Sequence, residues 1–366
     1  MVPDFPDVVQ RFRFEGEFLR AYPYGSGHIN DTYAAEFGRD HGAKHRYLLQ
    51  RINHDVFKRP EELMENIESV IRHLQEKISS AGGDPKRESL TLIPTLLNTS
   101  YCRTADGNYW RAFVLIEGAQ TYEVAESPQH VYHAARAFGG FQKLLSDFPV
   151  DRLHETIPNF HHTQRRYEDF VRSVERDSAN RASAVRSEID FVEQRVGDMS
   201  VLVELLAQGQ IPERVTHNDT KFNNVMIDDQ TGEAVCVIDL DTVMPGSALY
   251  DFGDAVRAAA NTAPEDERDL TKVSFDMEIF EYLTHGYLDT SREFLTQAEL
   301  DYLAFSARLM TFECGMRFLA DHLDGDIYFK IHRQNHNLDR SRTQFKLVEE
   351  MESQFDQMLR IVTEYC

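Results

Sequence analysis

Apolar residues recur along this chain in two different rhythms, and the change of rhythm divides it. Between residues 17 and 37 they alternate as in a strand, with a break at Tyr24-Gly25-Ser26-Gly27-His28-Ile29-Asn30. A glycine-rich break between two alternating runs predicts a hairpin. Residues 46–52 read as a third strand. Pro60 then sits in the first turn of a helix whose Leu63, Ile67, Val70, Ile71, Leu74 and Ile78 share one face. Ala81-Gly82-Gly83-Asp84-Pro85 stops that helix. Residues 90–97 and 109–116 read as two more strands, with a turn at Asp106-Gly107-Asn108 between them.

After about residue 118 the rhythm becomes helical. Ser127-Pro128 caps and opens a helix reaching about 147. Further helices are expected near 163–177 and 182–207, the second stopped by Gly209. Thr296 and Glu299 form a capping box ahead of a helix carrying Leu300, Leu303, Ala307, Met310, Cys314 and Phe318, which Gly325 closes. A last helix is expected over 340–362. Between these lies a non-helical island, residues 213–246, and no internal repeat or low-complexity segment is evident. The pattern predicts an α+β protein with a small N-terminal sheet lobe, residues 1–117, and a larger, mainly helical C-terminal lobe, residues 118–366. Ile116-Glu117-Gly118-Ala119 would be the joint, and a cleft between two lobes is a common ligand site.

Composition narrows the function. The 366 residues carry 39 basic and 61 acidic side chains, a formal charge of −22, with 42% hydrophobic residues. That balance suits an ordinary globular protein and argues against nucleic acid as partner, since phosphate backbones need clustered Lys and Arg. One local basic pocket for a small phosphorylated molecule is still allowed. The longest apolar runs, such as 112–116, fall far short of the roughly 18 residues a membrane-spanning helix needs. The beginning, MVPDFPDVVQRF, has acids and prolines where a signal peptide would be basic and then apolar. Cys102, Cys236, Cys314 and Cys366 show no CxxC pairing, as expected of free thiols in a reducing cytoplasm.

The chemistry concentrates in residues 215–241, VTHNDTKFNNVMIDDQTGEAVCVIDLD. A strand stub leads to His217-Asn218-Asp219, a turn follows at Asp229-Gln230-Thr231-Gly232-Glu233, and an apolar strand ends at Asp239 and Asp241. A hairpin here would bring Asn224 and Asp239 together with Asp219 facing the same side. Phosphoryl transfer from a nucleotide needs a magnesium ion on oxygen ligands, a role for Asn224 and Asp239. It also needs a carboxylate for the attacking hydroxyl, a role for Asp219. Singly, each is as readily a turn, cap or core residue; His217 is read as a core histidine supporting the loop, and Asp241 as a possible cap. Together, His-x-Asp-x-x-x-x-Asn followed by an apolar strand ending in Asp is a multi-position signal.

With HNDTKFNN and VIDLDTVMPGSALYDFGD in view, the chain resembles the aminoglycoside phosphotransferase and choline kinase superfamily, and within it bacterial N-acetylhexosamine 1-kinases. YGSGHIND at 24–31, YLLQRINHDVF at 47–57, RAFGGFQKLLSDFP at 136–149 and ECGMRFLADHLDGDIYFK at 313–330 extend the likeness over nearly the whole chain. The resemblance implies a bilobal, protein-kinase-like fold. It also implies an ATP- and Mg2+-dependent transfer to the anomeric hydroxyl of a small-molecule sugar. Asp219 would be the base, Asn224 and Asp239 the metal ligands. Gly25, Ser26 and Gly27 would cover the phosphates, and backbone groups around Glu117 would hold adenine. Kinases pair a strand lysine with a helix glutamate. The corresponding strand here carries Gln50 and Arg51 and no lysine, and only one of the two faces the cleft. Arg51 is a candidate for the phosphate-pairing cation and equally plausible as a surface residue, and with Glu62 only at the edge of the helix face the ion pair stays unassigned. Arg317 resembles a sugar-contacting arginine, with an ion pair to Glu313 as the competing reading; Tyr328 and His28 are weaker pocket candidates.

Asp251 and Asp254 are read as a first-turn cap and a loop brace. His161-His162 and the pair His41 and His45 are read as surface histidines. Two alternatives stay open. One is a kinase of the same superfamily for an aminoglycoside, choline or amino alcohol, and the other a nucleotide-binding regulator without turnover.

Overall fold

The computed structural model describes residues 3–25, 29–38 and 44–366. The chain begins with a short helix α1 (Phe5–Val9) and the strands β1 (Glu17–Pro23), β2 (Asp31–Gly38) and β3 (Lys44–Ile52). Helix α2 (Pro60–Ser80) follows, with Pro60 in its first turn and its predicted apolar face buried. After α3 (Pro85–Glu88) come β4 (Tyr101–Arg103) and β5 (Tyr109–Val114). The sheet has the order β1-β2-β3-β5-β4, antiparallel wherever neighbours pair.

Residues 90–97 are not a regular strand. They lie beside β5 through one isolated bridge, Leu92 to Phe113, with Ile93 N donating to Ala112 O at 2.8 Å, while Thr95 bridges to Phe12. Pro94 has no N–H for a ladder, and the chain turns at Asn98 (φ +61°). The edge position is taken instead by β4.

A two-residue strand β6 (Ala119–Gln120) leads from the joint into α4 (Pro128–Leu144), whose cap Ser127 accepts from His130 N. Helix α5 (Thr163–Arg176) forms as expected. The helix expected over 182–207 is broken into α6 (Arg186–Glu193) and α7 (Val201–Ala207), flanked by 3-10 turns, one of which contains Gly197. The island folds as β7 (Arg214–Thr216), β8 (Val225–Asp228), β9 (Ala234–Val237) and β10 (Met244–Gly246), in two small sheets, β10-β7 and β6-β8-β9. Helices α8 (Ala248–Ala259), α9 (Met277–Ser291), α10 (Gln297–Asp301), α11 (Leu303–Asp324), α12 (His336–Ser353) and α13 (Phe355–Tyr365) complete the chain. The Thr296–Glu299 capping box is formed, and Gly325 ends α11 at φ +99°. The last predicted helix starts earlier, at His336, and is split at Gln354.

The architecture is α+β and kinase-like, an antiparallel N-terminal sheet beside a mainly helical remainder. The largest apolar cluster joins α8, α9, α11 and α12. A second runs from Ile52, Phe57 and the buried face of α2 into Phe141, Cys236 and Leu240, so the sheet region and the helices share one core under the cleft. Asn66 of α2 reinforces that seam by donating to His154 O (2.8 Å) and Val243 O (3.1 Å).

Candidate active site

The loop after β7 is held in an unusual shape from below. Asn218 has φ +62°, a left-handed conformation that asparagine tolerates. Asp251, buried in the first turn of α8, accepts from His217 N (2.9 Å), Asn218 N (2.7 Å) and Gln142 Nε2 (2.6 Å). One turn later Asp254 accepts from Thr220 N at 3.0 Å and from Arg257 Nε at 2.8 Å. Both carboxylates therefore brace the loop; the cap of α8 is Ser247, not Asp251. His217 is fully buried. Its Nε2 lies 2.8 Å from Ile238 O, and the rings of Phe138 and Phe141 flank it edge-on. It supports the loop from inside the core.

Pairing between β8 and β9 sets Val225 opposite Val237, and Ile238 N donates to Asn224 O at 2.9 Å. That register puts Asn224 beside Asp239. Asn224 Nδ2 donates to Asp219 Oδ2 (3.0 Å) and to Asp219 O (2.8 Å), so the amide oxygen is the end left for a ligand. Asp239 has φ +60°. Two non-glycine residues in left-handed backbone within one loop pair mark a site whose shape the surroundings impose.

Asp219, Asn224 and Asp239 all line a single cavity of about 380 Å³. Leu48, Leu115, Ile116, Met226 and Ile238 supply its apolar walls. Enclosure by those walls, then the charges of Asp241 and Asp219, push the Asp239 carboxyl up to about 6, while Lys221 and Arg111 pull against them. The Asp239 side chain is nonetheless exposed to the cavity, so it is confined in an open cleft rather than sealed in a dry core. Its carboxylate has no hydrogen-bond partner among the described residues. Paired oxygen donors of this kind, one carboxylate under electrostatic pressure and one amide, fit a hard cation such as Mg2+.

Lys221, which the sequence reading did not single out, stands 3.0 Å from Asp219 Oδ2. Burial opposes its ammonium, but Asp219, then Asp239 and Asp254, outweigh that and hold it above the ordinary lysine range. Its place two residues after Asp219 was the available signal.

Several sequence-predicted residues fall elsewhere. Gly25 lines the cavity at φ +76°, whereas Ser26, Gly27 and His28 lie outside the described residues, as does His41. Arg51 does not line the cavity but pairs with Asp31, because strand alternation points Gln50 inward instead. The Glu117 side chain pairs with Arg46 (Nε to Oε1, 2.9 Å), and its carbonyl accepts from Arg87 at 2.8 Å. The stretch of the joint that lines the cavity is residues 114–116 together with Gln120 and Thr121.

Arg317 makes no ion pair with Glu313. Glu313 is instead bound by His161 Nδ1 (2.8 Å) and Thr163 Oγ1 (2.6 Å), which makes His161 a largely buried partner rather than a surface histidine. The Arg317 guanidinium sits against two rings, 5.2 Å from Phe160 and 5.7 Å from Phe329. Arg166 also stands over the Phe160 ring, 5.9 Å from its centre, and burial together with the Arg317 charge holds its pKa below the ordinary arginine value. Tyr328 is exposed beside it, its ring edge-on to Phe329 at 4.7 Å. Asp321 shapes this loop by accepting from the backbone N–H of Ile327 (2.9 Å), Tyr328 (2.8 Å) and Phe329 (3.0 Å).

Residues 21–288 match the APH phosphotransferase enzyme family, and the chain belongs to that family. Among solved structures it is similar to an aminoglycoside phosphotransferase from Alicyclobacillus acidocaldarius subsp. acidocaldarius, with TM-score 0.63, 14% identity and coverage of 100% of this chain and 97% of that one. A microcompartment-associated aminopropanol kinase matches with TM-score 0.58 at 15% identity, covering 96% of each chain. The amicoumacin kinase hAmiN, solved with AMP-PNP, Ca2+ and Ami, matches with TM-score 0.58 at 12% identity, covering 93% of this chain and 90% of that one. At such identities the likeness carries the fold alone. Among the described residues no helix is long and apolar enough to cross a membrane.

Proposed function

We propose that this phosphotransferase uses ATP and Mg2+ to phosphorylate the anomeric hydroxyl of an N-acetylhexosamine such as GlcNAc or GalNAc. The observation that carries the transfer chemistry is the Asn224–Asp219 hydrogen bond with Asp239 in the same cavity. Asp219 would accept the hydrogen bond of the attacking hydroxyl and draw off its proton. Asn224 and Asp239 would hold the metal, which when bound offsets the phosphate charge. Lys221 would orient Asp219 through their ion pair. The purine would lie against Leu48, Met226 and Ile238, with backbone groups of residues 114–116 at its edge.

The acceptor class is argued from charge. Arg166 and Arg317 have no carboxylate ion pair among the described residues, and they share the Phe160 ring. Neither lines the cavity that holds Asp219, and the nearest shared carboxylate, Glu313, is already bound by His161 and Thr163. Two guanidinium groups on this flank disfavour a cationic acceptor such as choline, an amino alcohol or an aminoglycoside. They suit a neutral acceptor rich in hydroxyl and carbonyl oxygens, and an aromatic ring nearby suits the face of a sugar. The resemblance to N-acetylhexosamine 1-kinases supports the same choice.

The test is a panel of GlcNAc, GalNAc, glucose, galactose, choline and kanamycin with ATP or GTP and Mg2+, the product read by phosphorus NMR. Phosphate on the anomeric oxygen of the first two is expected. Phosphate on a 6-hydroxyl, or preference for an amine-bearing acceptor, would overturn the sugar 1-kinase reading. Asp219→Asn is expected to lower turnover by about 10² to 10⁴ with nucleotide affinity nearly unchanged. Unaltered turnover would remove Asp219 from its role.

A further inference from the structure

The cleft side of the sheet carries a polar rung made by three neighbouring strands. Register sets Thr32 opposite Gln50 and Gln50 opposite Arg111. Gln50 Nε2 donates to Thr32 Oγ1 at 3.1 Å, and Arg111 Nε donates to Gln50 Oε1 at 2.9 Å. Arg111 is only 2% exposed yet lines the cavity. A charge buried so deeply in an apolar strand needs a partner. It has one in Asp241, whose Oδ1 lies 2.6 Å from Arg111 Nη1, an ion pair rather than a well-aligned hydrogen bond. Its second terminal nitrogen, Nη2, has no acceptor among the described residues.

We propose that Arg111 is the phosphate-directed cation of this cleft and that Asp241 is its positioning carboxylate. This rests on the nucleotide-binding reading above. The kinase arrangement draws the cation from one strand and its carboxylate from the following helix. Here the cation comes from the next strand over, and α2 presents Met64, whose Sδ is 3.9 Å from Arg111 Nη1. The carboxylate comes instead from the turn that carries Asp239, two residues earlier. Asn30, at the base of the glycine-rich turn, donates to the other oxygen of Asp241 at 2.5 Å and accepts from Asn53 N at 2.9 Å. Asp241 thus ties the covering turn, the buried cation and the metal-binding turn into one unit. An arginine suits this position better than a lysine, because its planar fork can serve Gln50 and Asp241 while keeping donors for phosphate oxygens.

The experiment compares nucleoside with nucleoside diphosphate on the full chain in Mg2+, by titration calorimetry, using adenosine and ADP, guanosine and GDP. Arg111→Met combined with Asp241→Asn removes both charges, so neither is left buried alone. Wild-type protein is expected to prefer the diphosphate. The double variant is expected to bind nucleoside within about twofold of wild type and diphosphate about 10- to 100-fold more weakly, the worth of one or two charge-assisted hydrogen bonds. A folded double variant with an unchanged diphosphate-to-nucleoside ratio would make the pair structural only and overturn the proposal. Should the double variant not fold, Arg111→Gln removes the cation and keeps an amide donor for Gln50 and Asp241. The same ratio is then expected to fall, and an unaltered ratio refutes the assignment. Wild-type protein that binds neither purine series would sink the nucleotide reading itself, and this inference with it.

Discussion

Replacing Asp251 with asparagine tests whether the shape of the active loop is imposed from beneath. The carboxylate accepts three N–H groups, two on Oδ2 and one on Oδ1. An asparagine with its oxygen toward His217 and Gln142 turns its own NH2 toward Asn218 N–H, which is then buried without an acceptor. That costs about 1–3 kcal/mol, and the two surviving bonds lose roughly 1 kcal/mol each when the acceptor is no longer charged. Against this, burial raises the Asp251 pKa, so removing a poorly hydrated charge returns part of the loss. A net destabilisation of about 2–3 kcal/mol follows, or a fall in melting temperature of roughly 3–5 °C for a chain of this size. The functional effect should exceed the thermal one. Asn218 at φ +62° is the residue next to Asp219, and a misplacement of about 1 Å in a reacting group costs on the order of 10² in rate. Turnover is expected to fall about 10- to 100-fold, with both Michaelis constants within about threefold. Calorimetric melting and steady-state kinetics on one preparation decide it. A variant melting within about 1 °C of wild type, with turnover within about twofold, would refute the claim that α8 holds the loop.

The Asp239 carboxyl, at about 6, should make metal binding sensitive to pH, because a proton and the cation compete for it. Apparent Mg2+ affinity is expected to drop about tenfold from pH 7 to pH 5. Since the folded value is raised, this group's contribution to stability is present below the ordinary aspartate range and lost as pH rises through about 6. Added Mg2+ should therefore raise the melting temperature more at pH 7 than at pH 5, and an Asp239→Asn variant should lose that difference. Gly253, in the triplet Asp251-Phe252-Gly253, allows α8 to approach α11: a Cβ there would stand 2.5 Å from Ser306 O and 2.6 Å from Met310 Cγ. Gly253→Ala is expected to destabilise by about 1–3 kcal/mol in denaturant titration, and a neutral result would show that the two helices can part freely.

The contrast between what local pattern determines and what packing determines runs through particular residues. The hairpin, α2, α4 and the capping box at Thr296 were legible because alternation, helical spacing and caps are written into neighbouring positions. So was the trio Asp219, Asn224 and Asp239, since a short β8–β9 hairpin converts a fixed spacing into a fixed proximity. The strand expected at 90–97 failed because Pro94 and the Asn98 turn outweigh its apolar content. The single helix expected over 182–207 failed because its short breaks interrupt the helix without altering its overall periodicity.

The proposed phosphate-directed cation is the clearest case of information that local sequence lacks. Gln50 and Arg51 could be ranked only by which face they present, and that is decided by pairing with β2 and β5. Arg111 lies sixty residues further on, a lone charge in an apolar strand, and only the antiparallel register sets it beside Gln50. Asp241, read along the chain, looks like a turn cap; folded, it meets Arg111 and Asn30. The chain by itself therefore determined which polar side chains gather at the candidate site, because Asp219, Asn224 and Asp239 sit on one short loop pair. Tertiary structure decided which charges face one another across the cleft, because electrostatic partnership depends on distance in space and the partners come from segments far apart in sequence.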